Sequence, residues 1–550
     1  MSIDERSWET IASESILLSA VRCWRNDADK WLKHSIERLS ETVRVNPLRK
    51  DKDWVEKWLE ENGAEKIDWF TGVGSAWTLP FERGKAENNV KIMLSALHET
   101  GRLTRQEAVS MIPAIALDAQ PGELILDMCA SPGSKTTQIA EHLNGRGVVM
   151  ANEVVNSRIN TLVSNTKRHG SITPIIVHHD GRFIPKVLHN GFDRILVDAP
   201  CTGSATTRKN PDVWNKWLPS GGRALHKLQI ELLTRAIKLT KPGGRIVYST
   251  CSLDPVENEA VIAEILRKCD YLSLAPTSKL IDKVPGKKGL TEWPNLNDEG
   301  QVSEIIEIEN SMLSPMESKI KEQLPNCLRI WNDDVDAGGF FVAVLIKSPD
   351  YEELKIEIDR VLEPEQIKPD EIGFPQPIDS ELSATLKETL GWEQEHLWKR
   401  GKNILWSTPE AKEIWKLDRR KRSGRTFIPG NRWRPLKVIH MGLLTLKLNG
   451  NGIERIVGKA VPKIVQDIQF GKSNVSSQVI DELLIGKEPP AYEISLELDK
   501  IRGGHILVEN NQEICLPVWI GGRVSLMISE QERRILRAQR KLPIILDEEE

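Results

Sequence analysis

The stretch "GELILDMCASPGSKTTQIAEHL" (122–143) decides the fold. A short apolar run ends at Asp127 and passes into a turn of small residues, Cys129-Ala130-Ser131-Pro132-Gly133-Ser134. That turn opens a helix at Lys135. Small residues let a ligand approach the backbone, and a helix N-terminus presents free N–H groups to an anion. Working outward, the same alternation repeats. "GRGVVMANE" (145–153), "TPIIVHHD" (173–180), "FDRILVDAP" (192–200) and "GGRIVYSTCS" (243–252) read as strands, separated by helical patterns such as "SRINTLVSNTKRHG" and "ALHKLQIELLTRAIKLT". Alternating strands and helices predict an α/β fold with a doubly wound parallel sheet. "GGFFVAVLIK" (338–347) reads as a further strand, antiparallel at an edge.

The chain has 550 residues, 28% charged and 39% hydrophobic, with a formal net charge of -4. That fits a soluble protein of two or three domains and excludes a uniformly basic polyanion binder, so any basic surface is local. Seven sparse cysteines and no CxxC pair argue for a reducing compartment and against a structural zinc site. His178-His179-Asp180 reads as a strand end rather than a metal site. The acidic start "MSIDERSWETIASESILLSAVRCW" does not read as a signal peptide, and no run of 18 apolar residues occurs. The expectation is a cytoplasmic protein without metal or membrane span.

Four regions emerge. Residues 1–100 are helix-rich and carry seven tryptophans from Trp8 to Trp77, read chiefly as core. In "DKDWVEKWLEENGAE", Trp54, Trp58 and Leu59 stand at helical spacing before an Asn62-Gly63 stop. The alternating domain spans 101–348, an acidic Pro-rich linker 349–380, and a different texture 381–550. Within the last, "KVIHMGLLTLKLNGNGI" alternates like strands around an Asn-Gly turn.

Ligands of open α/β sheets bind outside the carboxyl ends of the strands. The turn at 129–135 is not a phosphate loop, because Gly133-Ser134-Lys135 breaks the required Gly-Lys order and position 128 is Met. A nucleotide hydrolase is therefore a poor fit. Glu153 lies 26 residues beyond Asp127, near the spacing of a ribose-binding acid. Asp180 ends the third strand, placed to meet an adenine amino group. A nucleoside pocket beside a carboxylate-binding turn suits S-adenosylmethionine, and the lack of GxGxxG counts against a dinucleotide.

Cys201 in "DAPCTGSATTRKNP" (198–211) can be read as nucleophile, metal ligand or small core residue. A lone free cysteine is usually a small buried hydrophobe. Here Cys201 and Cys251 follow adjacent strands and face one crevice beside Asp198, which favours chemistry. The chemistry that needs them is methylation of a pyrimidine at carbon 5. That carbon becomes nucleophilic only after a thiolate adds to carbon 6, helped by a hydrogen bond from a carboxyl group near ring nitrogen 3. On local evidence Cys201, next to Asp198, is the natural nucleophile.

"RQEAVSMIP" (105–113), "DMCASPGSKTTQ" (127–138), "DAPCTGSATTRKNP" and "YSTCSLDPVENEAVI" (248–262), with "NPLR" (46–49) and "LRIWNDDVDAGGFFVAVL" (328–345), together resemble the Nol/Nop/Sun family of RNA cytosine-5 methyltransferases. The resemblance implies a class I, Rossmann-like methyltransferase domain that uses S-adenosylmethionine. It assigns attack to Cys251 and gives Cys201 a part in proton removal or product release, the reverse of the DNA cytosine-5 enzymes. Cys129, Ala130, Ser131, Pro132, Gly133, Ser134, Lys135, Glu153, Asp180 and Asp198 match cofactor positions. Asp198 also faces the base, and Lys135 is as able to orient substrate as cofactor. Ser131 and Glu153 stand where Ala and Asp are common, without changing the roles.

Residues from about 375 to 542 look similar to the tRNA-modifying branch, which implies a PUA-like RNA-binding domain beside a helical or α+β N-terminal extension. Residues 416–437 hold nine Lys or Arg and one Asp. Arg419, Arg420, Arg422, Arg425, Arg432 and Arg434, interleaved with Trp415, Phe427 and Trp433, suit phosphate neutralisation and base stacking. The expectation is a monomeric tRNA cytosine-5 methyltransferase. The alternatives are an rRNA substrate and a non-catalytic RNA-binding protein.

Overall fold

A computed structural model describes residues 7–186, 191–277, 283–284, 286–304, 308–352, 375–419, 436–450, 452–510 and 514–543, with backbone alone for 417–419. Its central sheet contains β1 (Leu124–Asp127), β2 (Val148–Asn152), β3 (Pro174–Val177), β4 (Phe192–Asp198), β5 (Thr240–Thr250), β6 (Phe340–Lys347) and β7 (Val438–Met441). The order across the sheet is β6-β5-β4-β1-β2-β3-β7. β1 to β5 run parallel, whereas β6 is antiparallel to β5 and β7 antiparallel to β3. The connection order reverses between β1 and β4, so a ligand crevice opens at their carboxyl ends.

These strands form because both faces are covered. Ile195, Val197, Ile246, Tyr248, Phe341 and Ala343 point into one core, and Leu196, Val247, Phe340 and Val342 into the other. This is the period-two alternation of a strand buried on both sides. Helices α1 (Ser134–Leu143), α2 (Asn156–His169), α3 (Pro219–Leu239) and α4 (Glu259–Lys268) cover the faces. α2 stops at Gly170, whose φ of 80° suits a glycine cap.

One expectation needs correction, and a second is met but refined. β6 is antiparallel, as expected, yet it is not an edge: Leu328–Ile330 and Leu272–Ala275 pair with its far side. Its uniformly apolar sequence suits that interior place. The stretch "KVIHMGLLTLKLNGNGI" divides between two sheets. Val438–Met441 leaves the C-terminal region to become β7, while Leu443–Asn449 and Gly452–Ile456 form a hairpin in a separate sheet.

The N-terminal region is more than helical. Helices Trp8–Ser13, Ile16–Trp24 and Ala28–Ile36 precede a sheet of Ser40–Val45, Glu65–Lys66, Ser75–Glu82 and Leu103–Arg105. Ser15 caps the second helix by accepting from Leu18 N–H at 3.1 Å. The helix Lys52–Glu61 ends at Asn62-Gly63 as expected. Trp24, Trp31 and Trp77 are buried, while Trp8 is exposed. Trp31 meets Trp214 and Trp331 edge-on at 5.5 and 6.4 Å, so these helices pack on loops of the central domain.

Beyond the linker, of which 353–374 lie outside the described residues, a second small sheet holds Lys472–Val475, Gly503–Glu509, Cys515–Ile520 and Val524–Leu526. A final helix, α5 (Glu530–Gln539), returns to the N-terminal sheet, where Ile535 is buried with Val43 and Leu97. No described helix is long and apolar enough to cross a membrane. No group of three metal-ligating side chains stands together among the described residues.

Candidate active site

The turn after β1 is held rather than loose. Asn152 donates to the carbonyls of Met128 and His179, both at 3.0 Å, and so ties together the ends of β1, β2 and β3. Ser131 Oγ donates to the Arg158 carbonyl at 2.9 Å, and Arg158 returns a bond to the Ser131 carbonyl at 2.7 Å. Gly133 sits at φ 105°, and a Cβ there would lie 2.9 Å from Leu162 Cδ1. The positive φ is what favours glycine, since the Leu162 side-chain end could move aside. Asp127 is buried at the floor. Its Oδ2 accepts from Thr136 Oγ1 at 2.6 Å, while its Oδ1 has no partner. Burial pushes its carboxyl up to about 7, against the opposing bond from Thr136.

A cavity of about 490 Å3 opens over this turn. Asp127, Cys129 to Lys135, Asp198, Cys251 and Phe340 line it, so the structure brings the turn, the acid after β4 and the cysteine after β5 together. Lys135 Nζ donates to Asp198 Oδ2 at 2.7 Å, and Ser249 Oγ donates to Asp198 Oδ1 at 2.8 Å. Burial alone would lower the Lys135 ammonium, but Asp198 outweighs it and holds it above its ordinary value.

The two cysteines meet. Cys201 Sγ and Cys251 Sγ lie 3.3 Å apart. The bond between them and burial raise Cys201 well above the ordinary thiol value. Cys251 is lowered, first by the bond with Cys201 and also by the nearby Lys135 ammonium, against burial and the Asp198 and Glu257 carboxylates. Lys135 and Asp198 both act on Cys251, the ammonium favouring its thiolate and the carboxylate opposing it.

Glu153 and Asp180 do not line this cavity. Glu153 is buried at the end of β2, accepting from Val155 N–H at 2.8 Å. Asp180 follows β3 and is gripped by Arg182, whose Nη2 lies 2.7 Å from Oδ2. That guanidinium holds the Asp180 carboxyl below its ordinary value. His178 and His179 are spent on the Glu153 carbonyl and the Lys437 N–H, at 2.9 and 3.0 Å. Of the expected RNA contacts, Arg420, Arg422, Arg425, Arg432 and Arg434 lie outside the described residues. Arg419 closes the helix Pro409–Arg419.

Sequence reasoning missed Glu257. It is fully buried and accepts from Thr202 N–H at 2.9 Å, Gln229 Nε2 at 3.1 Å, and the hydroxyls of Thr202 and Ser252. Thr202 follows Cys201 and Ser252 follows Cys251, so one carboxylate fixes both cysteine loops. Arg208 was missed as well. It bonds to the Glu37 and Arg38 carbonyls at 3.1 and 3.3 Å and pairs with Asp336 at 2.7 Å, anchoring the Cys201 loop to the N-terminal region. The available signal was charged residues inside otherwise apolar or small-residue motifs.

Residues 114–346 match the family model described as 16S rRNA methyltransferase RsmB/F. The chain is 42% identical over 281 residues to the multisite-specific tRNA:(cytosine-C(5))-methyltransferase of Saccharomyces cerevisiae, covering 47% of this chain and 40% of that protein. It is 33% identical over 325 residues to the tRNA (cytosine(49)-C(5))-methyltransferase of Pyrococcus abyssi, covering 58% of this chain and 93% of that one. A third relative, ribosomal RNA small subunit methyltransferase F of Aliivibrio fischeri, is 31% identical over 377 residues, 68% of this chain and 70% of the relative. The chain thus spans less than half the length of the first relatives it matches and nearly all of the archaeal one. With a class I methyltransferase sheet, the motif turn after β1 and two cysteines meeting at the ends of β4 and β5, the chain belongs to the Nol/Nop/Sun family of RNA cytosine-5 methyltransferases.

Proposed function

We propose that this protein methylates carbon 5 of cytosine in tRNA, with S-adenosylmethionine as methyl donor. The observation that carries the reading is the pair of sulfurs 3.3 Å apart beside the Lys135–Asp198 ion pair. Cys251, the lowered thiol, adds to carbon 6 of cytosine, and the ring electrons move toward carbon 5 and ring nitrogen 3. Lys135 Nζ carries a proton to donate toward ring nitrogen 3, and the Asp198 carboxylate accepts from the exocyclic amine. Once carbon 5 is methylated and Cys251 is a neutral thioether, Cys201 as thiolate takes the carbon 5 proton. The double bond between carbons 5 and 6 re-forms, Cys251 leaves as thiolate, and any proton passed to ring nitrogen 3 returns to Lys135. The target base must leave its stack to reach the cleft.

The pocket fits the cofactor. Asp127 Oδ1 is a buried acceptor without a partner, set beneath a turn of small residues. It suits an ammonium, and the turn Cys129–Ser134 suits a carboxylate. We assign Glu153 to the ribose and Asp180, shared with Arg182, to the adenine end. When bound, S-adenosylmethionine supplies an electrophilic methyl group.

One chain provides both thiols, the lysine, the acid and the turn, which supports a monomer. All seven cysteines are free, the state of a reducing compartment, which supports the cytoplasm. We read residues 1–100 as an RNA-binding extension, and 381–550, with its small four-strand sheet, as a PUA-like RNA-binding region.

The test is asymmetric. Cys251→Ala should abolish both methyl transfer and the covalent RNA adduct. Cys201→Ala should form the adduct and fail to release it, leaving a protein–RNA band on denaturing gels. The reverse pattern would exchange the two roles. The longest aligned segment among the three relatives, 377 residues, is with an rRNA enzyme, so small-subunit rRNA is the second reading. Bisulfite sequencing of host tRNA and rRNA, with and without the gene, decides between them.

A further inference from the structure

Cations from three distant parts of the chain meet where the N-terminal sheet, the end of α2 and the C-terminal region come together. They are Arg49, Arg168, Lys459 and Lys463. Arg49 Nη2 donates to the Thr100 carbonyl at 3.1 Å and stands 3.9 Å from Glu532. Arg168 Nε lies 3.4 Å from Glu99 Oε2, and its Nη1 reaches His98 Nε2 at 2.9 Å. Among the described residues, Lys459 Nζ reaches the backbone carbonyl of Glu99 at 3.3 Å and no carboxylate. Lys463, four residues on and half-buried, has no ion-pair partner among the described residues.

The local acids are already committed. Glu532 is forked by Arg102 at 2.7 and 2.8 Å, Asp51 takes Arg102 Nε at 2.6 Å, and Glu99 serves Arg168. Folding has therefore gathered like charges in a partly buried seam without enough carboxylates to match them. Burial and the Arg49 guanidinium push the Lys463 ammonium down to about 8, and burial with Arg49 and Arg168 also lowers Lys459. Such crowding is unfavourable unless an anion relieves it. The seam also leads somewhere. Arg168 lines the cavity that holds Cys251, together with Arg105, Arg83 and Lys209, and the last two are exposed.

We propose that this seam binds the phosphate backbone of the substrate RNA and guides it into the Cys251 cleft. Cations spread over three chain segments and continuing into the cleft wall match a repeating anion better than a single small one. The inference rests on the methyltransferase reading only for the kind of nucleic acid bound. It adds RNA contacts from residues outside the sequence segment 416–437.

The test uses the full chain and tRNA, titrated at several salt concentrations. Lys459→Gln/Lys463→Gln should make the slope of log affinity against log salt shallower by about 1.5, at roughly 0.7–0.9 per lost phosphate contact. It should also raise Kd roughly tenfold near physiological salt. Lys459→Gln alone, at an exposed site, should flatten the slope by about half as much, and serves if the double variant does not fold. Lys268→Gln, at an exposed lysine on α4 of the central domain, should leave the slope unchanged. A folded seam variant with wild-type slope and Kd would overturn the proposal. A seam-dependent slope without methyl transfer by the wild type would sink the enzymatic reading and leave the seam standing. Methyl transfer with seam-independent binding would sink the seam alone.

Discussion

Two sulfurs 3.3 Å apart share one hydrogen bond, so a change at one thiol shifts the ionisation of the other. Cys201→Ala removes the bond that lowers Cys251, so Cys251 should climb back toward the ordinary thiol value of about 8.5. A lowered thiol is ionised at lower pH. The acid limb of adduct formation should therefore move to higher pH in the variant, read as adduct yield against pH. An unmoved limb would give the whole depression to Lys135. Glu257 acts one step behind, as a positioning residue. Glu257→Gln turns an accepting oxygen into a donor facing the donors Thr202, Ser252 and Gln229. It should cost about 1–3 kcal/mol in urea unfolding. It should also displace the same acid limb, which a merely structural role would leave in place. That Cys201, Cys251, Asp198 and Lys135 share one crevice was legible from their places at or after the ends of β1, β4 and β5. The choice between the two cysteines came from the family resemblance, since local sequence favoured Cys201. Glu257 was not, because the donors that bury it come from loops far away in the chain. Asp180 was legible as an acid, but the Arg182 grip depends on how the turn after β3 closes.

At the scale of elements, the sheet rests on strands that alternate between two cores. Leu196 is fully buried on β4, between residues that face the opposite core. Leu196→Ala should destabilise the protein by about 2–5 kcal/mol, measured by denaturant unfolding. A loss below ~1 kcal/mol would mean that the core collapses around the gap. The parallel strands were readable because their apolar runs end in polar turns. β6 was misplaced at an edge because pairing partners leave no mark on one strand's own sequence. The N-terminal strands Ser40–Val45 and Ser75–Glu82 were hidden among tryptophan-bearing helical patterns. Half-buried strands carrying Arg44 and Glu41 show little apolar contrast. Arg44 is there to pair with Glu141 on α1 at 2.8 Å, with both side chains buried.

Across the whole molecule, the two ends of the chain are joined. Arg102 on the N-terminal side is nearly buried and forked by Glu532 of α5, and Gln539 donates to Asp51 at 2.7 Å. Glu532→Ala leaves that guanidinium with Asp51 alone. Glu532 is partly exposed, so the expected loss is about 1–3 kcal/mol rather than the larger cost of a fully buried pair. Faster proteolysis near α5, with little change in the central domain, would report it. Uniformly faster cleavage would mean that the ends and the centre unfold as one.

The pairing of β7 with β3 has a consequence for biosynthesis. β3 is wholly buried, with an apolar sequence, and its outer edge waits for a strand about 260 residues later in the chain. At ribosomal speeds of about 5–20 residues per second, that edge stays open for roughly 13–50 s. An apolar open edge invites pairing with another nascent chain. The protein should therefore depend on chaperones during translation more than its finished form suggests, and a fragment ending near residue 348 should aggregate.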